Sequence, residues 1–217
     1  MCIRDSCDFD NNAKRGWTLV ARVNGTSNDF TAVSNAWSDT SVFNHESAGD
    51  TCKRSSMKSH GWFLLTTNAI RLCFDGPDKD CAIFSHNLGM RLDEMFAKEY
   101  GILTEQHWKF DSLMKAFGKA CDSSKIKKEW CGINLANICH PEDMNPNLNP
   151  TNHIVRIGCI GADTRTCSPA DYAIGLGVTS CQDGYGCDRV GPKTPSMHWS
   201  CPPNYGAFDQ TAFMYVY

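Results

Sequence analysis

The chain has 217 residues, a net charge of −3 and a sequence isoelectric point near 6.1, which suits one domain, or two small ones, with a sizeable core. That charge balance leaves no basic stripe to pair with phosphate and argues against nucleic acid as a partner. The longest apolar runs, AIRLCF and YAIGLGV, fall far short of the roughly 18 to 20 residues of a membrane-spanning helix.

Thirteen cysteines are spread along the chain without a CxxC pair. Zinc sites of the finger and ribbon type need such close pairs, because two short loops grip one metal. Disulfides do not, so the expected setting is secreted or extracellular. The first six residues, MCIRDS, resemble a translated library adapter. On that reading Cys2 is foreign, the native start and any leader lie upstream, and the domain runs over residues 7–217. Twelve cysteines then remain for six bridges of open connectivity: Cys7, Cys52, Cys73, Cys81, Cys121, Cys131, Cys139, Cys159, Cys167, Cys181, Cys187 and Cys201.

After Cys7 and the polar DNNAKR comes GWTLVARV, whose alternation and aromatic and β-branched content predict a strand. Asn24-Gly25-Thr26 is a glycosylation triplet on a turn. Phe30 and Trp37 read as core anchors, since large aromatic side chains are usually well buried. Residues 38–60 are polar and read as a loop pinned through Cys52.

GWFLLTT and AIRLCF read as two short strands. Between Cys73 and Cys81, FDGPDKD is a turn; its Asp75, Asp78 and Asp80 lack the spacing of an EF-hand loop. HNLGMRLDEMFAKEYG predicts a helix, with Leu88, Leu92, Met95, Phe96 and Tyr100 on one face and Gly101 as its stop. A second short helix is expected from Asp111, with Leu113, Met114 and Phe117 inward. The lysines of SSKIKKEWC read as a solvated face.

HPEDMNPNLNPTN, at 140–152, carries three prolines and four asparagines and predicts a long exposed loop. IVRIGCIG is the next strand. The stretch Thr166–Cys187 then holds YAIGLGV, too short for a helix and bounded by turn residues, hence a buried strand. Cys167 precedes it and Cys181 and Cys187 come after it, enclosing QDGYG, a small polar loop and the expected place of a site. VGPKTPSMHWSCPPNYG, at 190–206, reads as irregular, and AFMYVY as a closing strand inside a sheet.

Catalytic motifs are missing: no GxSxG, HExxH or Walker loop, and no GxGxxG after a strand. Oxidised cysteines supply no thiolate nucleophile. A non-enzymatic binding or matrix role is therefore expected.

Several segments resemble one family. CDFDNNAKRGWTLVARVNG is similar to the opening of the fibrinogen C-terminal-like domain, and the span from Phe30 to Trp37 resembles the next segment of that domain. FSHNLGMRLDEMFAKEYG and GLGVTSCQDGYGC resemble segments of its intelectin branch, the latter with the same five-residue interval between cysteines. The resemblance implies an α+β fold: a twisted mixed β-sheet with a few short helices and long disulfide-pinned loops. It also implies a secreted lectin that grips sugar diols through calcium held partly between the paired cysteines. Where the family carries Asn, Glu and His, this chain has Gln182, Gly184 and Tyr185, with Asp183 adjacent. The expected metal ligands are thus Gln182 and Asp183, and calcium is the implied cofactor. Sugar would be met by Tyr185, His198, Trp199 and Tyr205. The expected partner is a glycan or an extracellular protein, with homo-oligomerisation open. The competing expectation is a matrix or adhesion scaffold whose ancestral calcium–glycan site is lost.

Overall fold

The computed structural model describes residues 7–10, 15–48, 50, 52–74, 81–98, 102–103, 113–115, 124, 126, 128–136, 154–162, 172–178, 197–201, 204–207 and 209–217. They form two six-stranded sheets with a few short helices. The first sheet runs β1 (Cys7–Asp10), β2 (Arg15–Asn24), β12 (Thr211–Val216), β4 (Thr66–Phe74) and β5 (Cys81–Arg91), with β3 (Met57–Lys58) also on β2. The second is a meander in the order β11 (Asn204–Ala207), β10 (Met197–Cys201), β9 (Tyr172–Val178), β8 (Ile154–Ala162), β7 (Lys128–Ala136) and β6 (Ile102–Leu103). Every strand pair among the described residues is antiparallel. The expected single mixed sheet is corrected accordingly. Among the described residues no helix is long and apolar enough to cross a membrane.

β12 inserts between β2 and β4, and all six of its residues are buried. Ala212, Met214 and Val216 join the main core, while Phe213 and Tyr215 join a second cluster with Trp17, Leu19 and Met57. A strand packed on both faces needs a continuous apolar run, and AFMYVY supplies one. The main core draws on both sheets. Phe30, Trp37, Trp62 and Phe96 sit at its centre, with Trp62 stacked on Phe96 at 5.6 Å and Trp37 edge-on to Phe30 at 5.1 Å.

Three local expectations are overturned. GWFLLTT opens as a helical turn, α1 (Gly61–Leu64), and pairs only from Thr66. Trp62 is fully buried there and donates from Nε1 to the Trp37 carbonyl at 3.1 Å, an anchor that local pattern does not reveal. HNLGMR is strand, and the helix α2 covers only Leu92–Phe96. Asn87 (φ 53°) and Gly89 (φ 57°) leave the right-handed helical region, and Met90 and Arg91 pair with Thr67 and Thr66. Leu88 is consequently exposed, whereas Leu92, Met95 and Phe96 are buried as expected. The stretch after the lysines, unassigned from sequence, is β7, with Cys131, Ile133 and Leu135 buried. The segment expected to be irregular folds as the β10–β11 hairpin. In each strand case a distant pairing partner overrides local pattern.

The strands GWTLVARV, AIRLCF, IVRIGCIG and YAIGLGV are where they were expected. Phe30, Trp37, Leu113 and Met114 are buried. Among the described residues, two disulfides join facing residues of neighbouring strands: Cys73–Cys81 across β4 and β5, and Cys131–Cys159 across β7 and β8. Cys52 is also disulfide-bonded. Cys7 lies on β1 and Cys201 on β10. Cys121, Cys139, Cys167, Cys181 and Cys187 fall outside the described residues, as do Asp75, Asp78, Asp80, Tyr100 and the 140–152 segment.

His86, on β5, yields a pH prediction. Its Nδ1 accepts from the Leu88 amide at 3.3 Å, while Nε2 is buried with no partner. Burial lowers its pKa from 6.5 to about 4. Below about pH 6.5 the unfolded chain therefore takes a proton that the folded chain refuses. Stability is complete above that pH and falls as pH drops toward about 4. In urea melts across this window, His86→Gln should show a shallower decline than the wild type.

Candidate functional site at the β9 to β11 edge

All seven residues of YAIGLGV are buried in β9, between β8 and β10. Ile174 and Leu176 enter the main core, and Ala173 and Val178 a smaller cluster with Leu135, Val155 and Ile160. The glycines set how β8 and β9 meet. Gly158 faces Gly175 across the pair, with φ of 153° and 145°. A Cβ on Gly158 would lie 2.0 Å from the Ile174 carbonyl oxygen, and one on Gly175 2.1 Å from that of Ile157. The register continues from Gly175 to His198 and from His198 to Ala207.

The β10 strand starts inside the core. Met197 is fully buried opposite Leu176, and its amide donates to the Gly25 carbonyl at 3.1 Å, tying the second sheet to the end of β2. From there the register places the sequence candidates. His198 pairs with Gly175 and Ala207, Trp199 with Ile174 and Gly206, and Ser200 with Ala173 and Tyr205. Cross-strand partners share a face and neighbours along a strand alternate. Positions 198, 200, 205 and 207 therefore lie on one face of the hairpin, and positions 197, 199 and 206 on the other, the side of Met197 and Ile174. His198 and Tyr205 are brought onto a common face at the sheet edge, and Trp199 is separated from them.

Gln182, Asp183 and Tyr185 lie outside the described residues. Gln182 and Asp183 carry an amide oxygen and a carboxylate, the donor type calcium takes, against a shell of six to eight oxygens. Among the described residues no group of three or more His, Cys, Asp or Glu could hold a metal ion.

Three cations among the described residues, Arg22 and Lys58 buried and Arg156 partly buried, were absent from the sequence reading and fix the loops around this frame. Arg156 on β8 lies opposite two left-handed positions, Asn134 (φ 51°) and Gly177 (φ 56°). Its Nε donates to the Ala32 carbonyl at 2.8 Å and its Nη1 to the Phe96 carbonyl at 3.4 Å and to Asn134 Oδ1. Asn134 in turn donates from Nδ2 to the Lys98 carbonyl. One side chain thus docks the 26–43 loop and the end of α2 onto the second sheet. Burial holds the Arg156 pKa below its ordinary value.

Arg22 does the same for the 44–56 loop. Its guanidinium donates to the carbonyls of Ser55 (2.7 Å), Asp50 (2.6 Å) and Ser47 (3.3 Å), and to Ser47 Oγ at 2.9 Å. Lys58 is the third, fully buried, with Nζ donating to Ala36 O (2.7 Å), Asp39 O (2.7 Å) and Asp39 Oδ1 (2.5 Å). Burial depresses the Lys58 pKa against the opposing pull of Asp39. The sequence signal for two of them was a lone cation inside a strand pattern, in LVARV and IVRIG.

Comparison of the chain with protein-family models, with curated proteins and with solved structures finds no match.

Proposed function

We propose that this chain is an extracellular, non-enzymatic recognition domain of the fibrinogen C-terminal-like type, intelectin branch, that binds carbohydrate at the β9 to β11 edge. The observation that carries the reading is the hydrogen-bonded run β9–β10–β11. It sets His198 and Tyr205 on one face of an edge hairpin, beside the strand that leads into Gln182, Asp183 and Tyr185. A tyrosine ring offers a surface for the apolar face of a sugar, and amide and carboxylate oxygens suit its hydroxyls or a bridging calcium. Disulfides in both sheets suit an oxidising compartment.

A second reading is a matrix or adhesion scaffold that binds protein. Gly184 and Tyr185 favour it, since neither replaces the carboxylate and imidazole of the resembled family. Glycan-array binding with and without a calcium chelator separates the two. The lectin reading expects binding that the chelator weakens; an array blank under both conditions sinks it.

A further inference from the structure

Asn24-Gly25-Thr26 is the one Asn-x-Ser/Thr triplet of the chain without a central proline; Asn149-Pro150-Thr151 has the excluded one. Asn24 ends β2, opposite Thr211, and the chain turns there into the 26–43 loop. Its Oδ1 accepts from the Thr26 amide at 3.0 Å and from Thr26 Oγ1 at 2.9 Å. Both interactions fall on the amide oxygen and orient the amide plane. Nδ2 donates to nothing among the described residues, and it is not among their fully buried unpartnered atoms, so solvent reaches it on this half-buried residue. Thr26, Asn28 and Asp29 beside it are exposed.

The turn by itself needs only Oδ1, as in any Asx turn. The structural and the modifiable atoms of Asn24 are thus different atoms. The transferring enzyme acts on the nascent chain, so the fold decides whether the product can be housed. The backbone around Asn24 is firmly held, with Gly25 N on the Gln210 carbonyl (2.9 Å), Asn24 N on Ser56 Oγ (3.0 Å) and Met197 N on the Gly25 carbonyl (3.1 Å). A sugar on Nδ2 displaces none of these bonds.

We infer that Asn24 carries an N-linked glycan that emerges at the seam of the two sheets, next to the first residue of β10. In the transfer, Nδ2 forms a bond to the anomeric carbon of a lipid-pyrophosphate-linked oligosaccharide. The bond from that carbon to the pyrophosphate oxygen breaks, the lipid pyrophosphate leaves with the electron pair, and the Nδ2 proton passes to a carboxylate of the transferase. Nothing is oxidised or reduced.

The inference rests on the extracellular reading, and the test removes that dependence. The full chain is translated into eukaryotic microsomes behind a cleavable leader, and the protease-protected product is treated with endoglycosidase. The wild type and Thr26→Ser, which keeps the triplet, should each show one glycosidase-sensitive gel step; Thr26→Val and Asn24→Gln should show none. A protected wild-type chain without the step, or a step that survives Asn24→Gln, overturns the assignment. The extracellular reading fails separately, if the native protein shows its cysteines as free thiols.

Discussion

Replacing Gly158 by alanine should prevent β8 and β9 from pairing as they do. The new Cβ would sit 2.0 Å from the Ile174 carbonyl oxygen and 2.8 Å from the Gly175 Cα. Both are backbone atoms of a strand buried along its whole length, so neither can swing aside. The φ of 153° is itself a conformation that alanine avoids. Overpacking and backbone strain together should cost about 3 kcal/mol or more, a large share of the ~5–15 kcal/mol that stabilises a domain. Gly89→Ala is the control: its φ is also positive, at 57°, but the nearest atom is Asn68 Oδ1 at 3.9 Å. It should lose only the left-handed penalty of about 1 kcal/mol. Urea melts followed by fluorescence distinguish the two; equal midpoints would contradict the close approach of β8 and β9.

Lys58→Met should be the most damaging change in the first sheet. Methionine keeps the length and apolar stem but removes an ammonium whose three donors are all used. The buried Ala36 carbonyl loses its Lys58 donor, and Asp39 loses its counter-charge. Breaking a buried pair from one side costs about 3–5 kcal/mol. The lower end applies, because Asp39 is 38 % exposed and rehydrates. A pH signature accompanies the loss. Burial tends to raise the Asp39 pKa, yet hydrogen bonds from Lys58 and Ser41 and the Lys58 charge hold it below its ordinary value of 3.8. The stabilisation it adds is present above that value and disappears as pH falls through the lower folded one. In Lys58→Met this acid-dependent component should shrink to the part that the Ser41 hydrogen bonds sustain.

Much of the frame is legible from sequence because apolar alternation and short apolar runs survive translation into strands. GWTLVARV, IVRIGCIG, YAIGLGV and AFMYVY each became the strand expected. What stayed hidden depends on partners far along the chain. HNLGMR carries a helical stripe, but its ladder to Thr66 and Thr67 decides its state. MHWSC and NYGA look irregular until β9 offers an edge to pair with. Candidate residues picked from sequence carry no sign of which of them share a face. That is set by register, here by Gly175 opposite His198, and it parts Trp199 from His198 and Tyr205. The three cations were equally invisible as a group, since most of their acceptors are backbone carbonyls 19 to 124 residues away.

The carbohydrate reading is tested most directly by repeating the glycan array with His198→Ala and Tyr205→Ala protein that keeps the wild-type melting temperature. Losing one well-placed aromatic contact is worth about 1.4 kcal/mol or more, or at least roughly tenfold in affinity. The double variant should fall to background on every glycan the wild type binds. Undiminished binding by a folded double variant would contradict a site on this edge.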